Sequence, residues 1–246
     1  MSVDLNADLG EGAGHDEELL ALVSSANIAC GLHAGNAAMM QRALRDAKER
    51  GVAVGAHPSF DDRKNFGRSE VSLSGEEVFA LVVYQLGAFA ALAHSLGMKP
   101  RHLKPHGALY NMAARNEELA DGIVRALRAV DPHLILFAPG ASALSRAAEA
   151  NDVRVAAEVF ADRNYLADGS LVPRAHPEAL LHDPEAAADR VFGMLRENKV
   201  RALDGTEVPV QVETVCVHGD TPGAVDFVRA LRRALQQMGI AVAPIA

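Results

Sequence analysis

The stretch Asp4-Leu5-Asn6-Ala7-Asp8-Leu9-Gly10-Glu11 decides how this chain folds. Val3, Leu5, Ala7 and Leu9 alternate with Asp4, Asn6 and Asp8, so a strand here has one apolar and one polar face. A solvated edge strand would alternate in the same way. A buried strand would need partners for all three polar groups, because each unpaired one costs about 2–7 kcal/mol. The rest of the chain decides between them. Strand candidates recur at Val3–Leu9, Ala26–Cys30, Val52–Gly55, Pro100–Lys104, Leu134–Ala138, Val153–Val159 and Val212–His218. Helical patterns separate them near 37–50, 75–97, 117–130, 141–150, 184–197 and 222–238. Strand and helix in alternation imply a parallel sheet. Nearly every strand candidate runs into ionisable or amide side chains. Loops after the strands of a parallel barrel build one active-site mouth. The expectation is an α/β chain forming one domain over residues 1–246, a parallel (β/α) barrel with seven strand ends at a single mouth. An open doubly wound sheet, which also binds ligands at its carboxyl ends, is the alternative.

Composition narrows the classes. The chain has 246 residues, 49% of them hydrophobic, enough for a substantial core. A net charge of −8, without a basic cluster, argues against a general nucleic-acid binder. Cys30 and Cys216 form neither a CxxC nor a disulfide framework. No signal-peptide pattern opens the chain, and no apolar run reaches the ~18 residues that span a bilayer. The expectation is therefore a cytoplasmic protein with no membrane contact.

Local boundaries carry their own mechanisms. Ser74 and Glu77 fit a capping box, and Gln85 alone breaks the apolar face of the helix behind them. Asp183-Pro184 and Thr221-Pro222 read as N-caps followed by proline at the first helical position. Residues 160–182 have no period and read as a long functional loop.

The strand ends supply the chemistry. Asn6, Asp8 and Glu11 close the first, and Cys30 and His33 the second. His57 follows the third, and Pro58 keeps it out of helical geometry. Lys104 and His106 follow the fourth, Glu158, Asp162 and Arg163 the sixth, and His218 and Asp220 the last. Asp8, Glu11, His57, His106, His218 and Asp220 are the expected acid–base groups. Asn6, His33, Lys104, Glu158 and Arg163 are the expected groups for holding substrate or phosphate. Asp162 and Arg163 read equally well as a structural ion pair. Asp8, His33 and His57, with His106, His218 and Asp220 nearby, also have the ligand types of a divalent metal site. There is no HExxH, P-loop, GxGxxG or GxSxG.

Six longer strings resemble one family: DLNADLGE (4–11), SANIACGLHAGN (25–36), GAHPSF (55–60) with FGR (66–68), HLKPHGALYN (102–111), EVFADRNY (158–165) with LVPR (171–174), and VCVHGDTPGAV (215–225). Together they resemble the LamB/YcsF family, described as the A component of 5-oxoprolinase, over essentially the whole chain. The resemblance implies a barrel, usually seven-stranded, related to glycoside hydrolases and polysaccharide deacetylases. It implies opening of 5-oxo-L-proline to L-glutamate with ATP hydrolysis, and two partner subunits, B and C. Asn36 stands where the family pattern has Asp, and Ser69 where it has a second Arg.

Phosphorylating the lactam oxygen would activate a poor electrophile, water would then attack, and the ring nitrogen would take a proton. On this reading Asp8 or Glu11 with His57 or His106 moves protons. Lys104 and Arg163 hold carboxylate or phosphate, and Asp220 orients His218. ATP is the expected co-substrate, with Mg²⁺ as its usual companion. A homo-oligomer is compatible with this reading. The rival functions are a metal-dependent carbohydrate or amide deacetylase and a non-catalytic lactam- or sugar-binding regulatory protein.

Overall fold

In the computed structural model, which describes residues 2–221 and 223–245, the polar face of the first strand points inward. The chain lays down β1 (Ser2–Leu9), β2 (Ser25–Ala29), β3 (Ala53–His57), β4 (His102–Leu103), β5 (Ile135–Pro139) and β6 (Val155–Phe160), each parallel to the one before. An antiparallel hairpin follows, β7 (Lys199–Arg201) and β8 (Glu207–Pro209). Then β9 (Thr214–Val217) pairs with both β6 and β1. That double pairing closes a seven-stranded parallel barrel, and the open-sheet alternative falls. A last short strand, β10 (Ala241–Val242), runs beside the start of β1 outside the ring.

Eight helices among the described residues surround the ring: α1 (Asp16–Leu20), α2 (Ala37–Arg50), α3 (Gly75–Ser95), α4 (Gly107–Ala113), α5 (Glu117–Val130), α6 (Ala143–Glu149), α7 (Pro184–Glu197) and α8 (Ala224–Gln237). The outward residues of β1, Leu5, Ala7 and Leu9, are fully buried beneath them. Burial of such side chains stabilises by roughly 1.5–3 kcal/mol each for the leucines. The Ser74–Glu77 capping box and the Asp183-Pro184 cap both form. Thr221 does not cap α8: Gly223 stands at that position, and Pro222 lies outside the described residues. Of residues 160–182, read as a loop, Phe160 closes β6, and the rest hold only isolated bridges, Arg163 to Leu180 and Tyr165 to Leu171.

One composition-based expectation needs correcting. α3 is long and apolar enough to cross a bilayer, with a mean hydropathy of 1.6 over its best window. Here it packs along the barrel against α5, with Val78, Val82, Leu86 and Phe89 buried. Gln85, the break in its apolar face, is buried too. Its Oε1 accepts from Ser59 N–H at 2.9 Å, and its Nε2 donates to Ser59 O at 2.8 Å. The amide thus fixes the turn that follows His57.

The barrel shaft is filled. On β5 and β6 the inward residues Ile135, Phe137 and Ala156 are apolar, and the Phe137 ring stacks on His102 with centroids 4.1 Å apart. On β3 the neighbour of that imidazole is Gly55. A Cβ there would lie 2.1 Å from His102 Cδ2, so only glycine fits.

Candidate active site

Inside the ring, the polar face of β1 becomes three layers. Asp4, lowest, accepts from Ser24 Oγ (2.7 Å), Ser25 Oγ (2.7 Å) and Thr214 Oγ1 (2.6 Å), which completes a structural plug. Asn6, in the middle, donates to Glu158 Oε1 (3.0 Å) and Thr214 Oγ1 (2.7 Å) and accepts from Asn27 Nδ2 (2.7 Å) and Lys104 Nζ (3.3 Å). With all its capacity used, Asn6 is held by the protein and supports the site from below. Asp8, uppermost, accepts from Asn27 Nδ2 (2.8 Å) and Lys104 Nζ (3.0 Å).

Lys104 is brought to the site but not as the expected anion clamp. Its ammonium is buried among Asp8, Asn6, Glu158 Oε1 (3.0 Å) and Cys216 Sγ (2.8 Å), more acceptors than it has protons. Burial opposes its charge, but Asp8, Cys216 and Glu158 hold its pKa well above the ordinary lysine value. Lys104 is therefore the internal counter-charge of Asp8 and Glu158, and Glu158 is likewise engaged with Lys104 and Asn6.

Above Asp8, on the β1–β4 side, lies a stack of imidazoles. His57 Nδ1 is 2.7 Å from Lys104 O, and His106 Nε2 is 2.9 Å from Phe66 O, so each of these nitrogens donates to a backbone carbonyl. Phe66 reaches that position in the left-handed region, φ 56°, where a non-glycine residue is uncommon. The opposite nitrogens, His57 Nε2 and His106 Nδ1, then face each other as acceptors 3.0 Å apart. Glu11 Oε1 lies 3.3 Å from His106 Nδ1 and 3.1 Å from His33 Nε2, and Asp8 Oδ1 lies 3.5 Å from His57 Nε2. His33 stacks on His106 with centroids 4.0 Å apart, and its buried Nδ1 has no partner among the described residues.

Charge sorts these groups. Burial pushes the Asp8 carboxyl up, but His57 and Lys104 outweigh it and hold the group well below the carboxylate range. Burial, reinforced by Asp8 and Asp220, pushes Glu11 well up. Burial lowers His33 to about 3, with His57 adding to the effect, and holds His106 well below its usual value. Two facing imidazole acceptors are satisfied by a shared proton, by a protonated Glu11, or by a cation. Ligand atoms about 2.1 Å from one tetrahedral ion sit roughly 3.4 Å apart, which matches this spacing. Histidines anchored through their far nitrogen are also the usual pattern around metals. The residues thus fit a divalent cation held by Asp8, His57 and His106, whose ligand atoms lie within 4.8 Å of one another. His33 groups with Glu11 and His106, which corrects the expected trio of Asp8, His33 and His57.

The β6–β9 side is differently organised. Phe160 pairs with Cys216, so two residues further on Asp162 faces His218. His218 Nδ1 donates to the Asp162 carboxylate at 3.0 Å, and Thr221 Oγ1 donates to the same group at 2.7 Å. Burial raises Asp162, but His218 and Thr221 bring it well below the carboxylate range; burial lowers His218, partly offset by Asp162. His218 therefore stands neutral with Nε2 free to accept, the arrangement of an oriented general base. The orienting acid is Asp162, not the expected Asp220. Nor does Asp162 pair with Arg163, whose guanidinium donates to Val172 O and Ala179 O and pins the 160–182 loop. Asp220 instead accepts from Arg68 at 2.6 Å, with Arg174 at 3.9 Å. Gly219 permits the turn: a Cβ there would lie 2.3 Å from Asp8 O.

Asp8 joins the two sides, since its carboxylate, Cys216 Sγ and a His218 nitrogen also lie within 4.8 Å of one another. Sequence reasoning gives no role to Asn27, His102, Arg68 or Arg174. The signal for Asp162 is the strand register, which requires knowing that β6 and β9 are neighbours. Asn36 is the exposed N-cap of α2, accepting from Met39 N–H at 3.0 Å. Asp and Asn cap equally well, so this departure from the family pattern leaves the helix start intact. Ser69 N–H donates to Asp62 at 3.2 Å.

Comparison with known proteins agrees with this architecture. The model of the LamB/YcsF family matches residues 3–246. Among solved structures, a lactam utilization protein from Thermus thermophilus is 48% identical, with a TM-score of 0.92 and 100% of each chain covered. The catalytic domain of a peptidoglycan N-acetylglucosamine deacetylase from Eubacterium rectale has a TM-score of 0.52 at 12% identity, covering 99% of this chain and 88% of that one. A polysaccharide deacetylase from Bacillus cereus has a TM-score of 0.50 at 17% identity, covering 100% and 92%. The two deacetylases share the barrel fold. With a family model spanning nearly every residue and a near-half-identical relative of equal length, this chain belongs to the LamB/YcsF family.

Proposed function

We propose that this chain is the A component of an ATP-dependent 5-oxoprolinase, which opens 5-oxo-L-proline to L-glutamate together with subunits B and C. The observation that carries the reading is the paired site: an oriented His218 base and an imidazole–carboxyl stack with a place for one more proton flank one buried carboxylate, Asp8. The 48% identity to a lactam utilization protein supports the substrate class. Opening an amide ring needs a base to activate water and an acid to protonate the leaving nitrogen. His218 Nε2 serves the first role, with Asp162 stabilising the imidazolium as it forms. Glu11, whose hold on its proton is strengthened by burial and by the Asp8 charge, serves the second through His106 or directly. ATP, carried with Mg²⁺, would turn the lactam oxygen into a phosphate leaving group and remove the resonance that protects the amide. The test is glutamate release from 5-oxoproline by the full three-protein assembly, with and without ATP. ATP-independent release, or none in the complete assembly, would defeat the proposal.

A metal-dependent amide deacetylase is a second reading, favoured by the facing acceptors of His57 and His106. A cation held by Asp8, His57 and His106 would polarise the amide carbonyl and activate water. Calorimetric titration of the chain with Zn²⁺, repeated on His106→Ala, tests it: saturable binding lost in the variant favours this reading.

A further inference from the structure

The rim of the mouth carries a charge arrangement that the proton chemistry above does not use. Arg68 and Arg174 converge from different segments, the loop after β3 and the long 160–182 loop, and both point at the single carboxylate of Asp220. Arg68 Nη2 is 2.6 Å from Asp220 Oδ2, and its guanidinium lies over the Phe66 ring, 4.7 Å from the centroid. Arg174 Nη2 is 3.9 Å from Asp220 Oδ1, beyond hydrogen-bonding reach. The three side chains keep 30%, 24% and 24% of their surface accessible for Arg68, Arg174 and Asp220, so solvent and ligands reach them. Arg163, close behind, is committed to backbone carbonyls, and Asp162 is committed to His218 and Thr221. Two cations thus share one anion, and the cluster holds one more positive than negative charge.

The cations also crowd each other. Burial lowers the Arg174 pKa, and Arg68 adds to that effect; burial and Arg174 lower Arg163 to about 10. Guanidinium groups held together against repulsion, with donors left unfilled, accept an oxyanion with little rearrangement. The place is suitable for substrate, because Asp220 lies two residues beyond His218 in the turn that Gly219 presses against the end of β1.

We propose that Arg68 and Arg174 form an oxyanion-binding subsite at the rim, taking the carboxylate of the cyclic amide substrate, and that Asp220 fills this subsite as an internal counter-ion until the ligand displaces it. The proposal rests on the lactam reading for the identity of the anion, though not for its existence. It assigns Asp220 the role of competitor and releases it from acid–base work. It also explains why the clamp anticipated at Lys104 and Arg163 is absent from those residues: both are saturated by the protein, whereas Arg174 is not. A phosphate group has the same recognition chemistry, and the experiment separates the two sources.

The test is calorimetric binding to the full chain of three probes: 5-oxoproline, the neutral ring pyrrolidin-2-one, and inorganic phosphate. The expected result is binding of 5-oxoproline, with pyrrolidin-2-one weaker by at least about tenfold for want of charge-assisted hydrogen bonds. Arg174→Met and Arg68→Met weaken 5-oxoproline by at least about tenfold, Arg174→Lys by less, and affinity falls as salt rises. Asp220→Asn has the opposite sign and tightens anion binding, because the internal competitor is gone. A merely structural Asp220 would give the reverse, since breaking its ion pairs would loosen the rim and weaken every ligand. Arginine variants that bind like the parent chain, an Asp220→Asn variant that binds more weakly, or a parent chain that binds none of the probes each overturns the proposal. Phosphate bound in place of 5-oxoproline, with the same variant pattern, keeps the subsite and removes the lactam reading.

Discussion

The two sides of the mouth contain similar side chains in opposite states of completion. Around Asp162, each polar hydrogen has an acceptor: His218 Nδ1–H, His218 N–H and Thr221 O–H all point at one carboxylate. Around His57 and His106, two acceptors face each other at 3.0 Å with Glu11 close by. The first side has a fixed tautomer and a fixed direction. The second gains a proton or a cation to become complete. The amide opening proposed above would use both kinds of group, one that is always ready to accept and one whose proton content changes during the reaction.

The largest expected effect comes from removing the residue both sides share. Asp8→Asn should lower turnover of the complete assembly by about 10²–10⁴-fold. It should also destabilise the chain by roughly 3–5 kcal/mol, because Lys104 loses a buried counter-charge. Turnover and thermal unfolding check the two parts, and normal turnover would mean that the sides do not work together. Next is Asp162→Asn, which keeps the shape but removes the charge behind His218. About a 10²-fold loss of turnover is expected, with Zn²⁺ titration of the opposite side unchanged. Loss of any cation affinity in that variant would erase the distinction between the sides.

A third effect is on stability. His102, beneath the imidazole stack, is lowered to about 3 by burial and then by Lys104. Its folded pKa lies below the unfolded value of about 6.5, so the unfolded chain takes up the proton first as the pH falls. The stabilisation is complete above about 6.5 and declines toward about 3, at roughly 1.4 kcal/mol per pH unit for this group. Urea unfolding at stepped pH should show that decline, and His102→Gln should lessen its slope, the remainder coming from the other buried imidazoles, His33 and His106. The smallest effect is expected from Gln85→Leu, which leaves the buried Ser59 N–H and C=O unpaired behind His57. A loss of about 1–3 kcal/mol is predicted, together with weaker function of the imidazole side alone. Unchanged stability would show that Ser59 finds other partners.

The alternation in residues 3–9 and the polar ends of the later strands are enough to read a parallel barrel, because a period of two has a fixed meaning for a strand with one buried face. The helices with strong caps, α2, α5 and α7, are legible to the residue. The short α1 and α4, the β7–β8 hairpin and β10 are not: each carries too little periodicity to stand out from the loop or longer element beside it. Which residues meet is legible only where convergence at the strand ends suffices, as for Asp8, His57, His106 and His218. Which donor meets which acceptor depends on register and on loop paths. That is why nearness in sequence points Asp220 at His218 when Asp162 sits opposite it, and why Arg68 and Arg174 have no visible role. Likewise, nothing in a sequence says that Lys104 spends all its protons inside the barrel.

Among the described residues, the Asp4 cluster and the Phe137–His102 stack over Gly55 fill the shaft below the mouth, so the reading above brings its ligands in across the carboxyl rim. Two co-substrates using it would have to queue. Whichever one sits against Asp8 must go in before the other and come out after it. Initial-rate kinetics of the assembly would then show compulsory-order binding, with the deeper product acting as a dead-end plug when the shallower site is refilled.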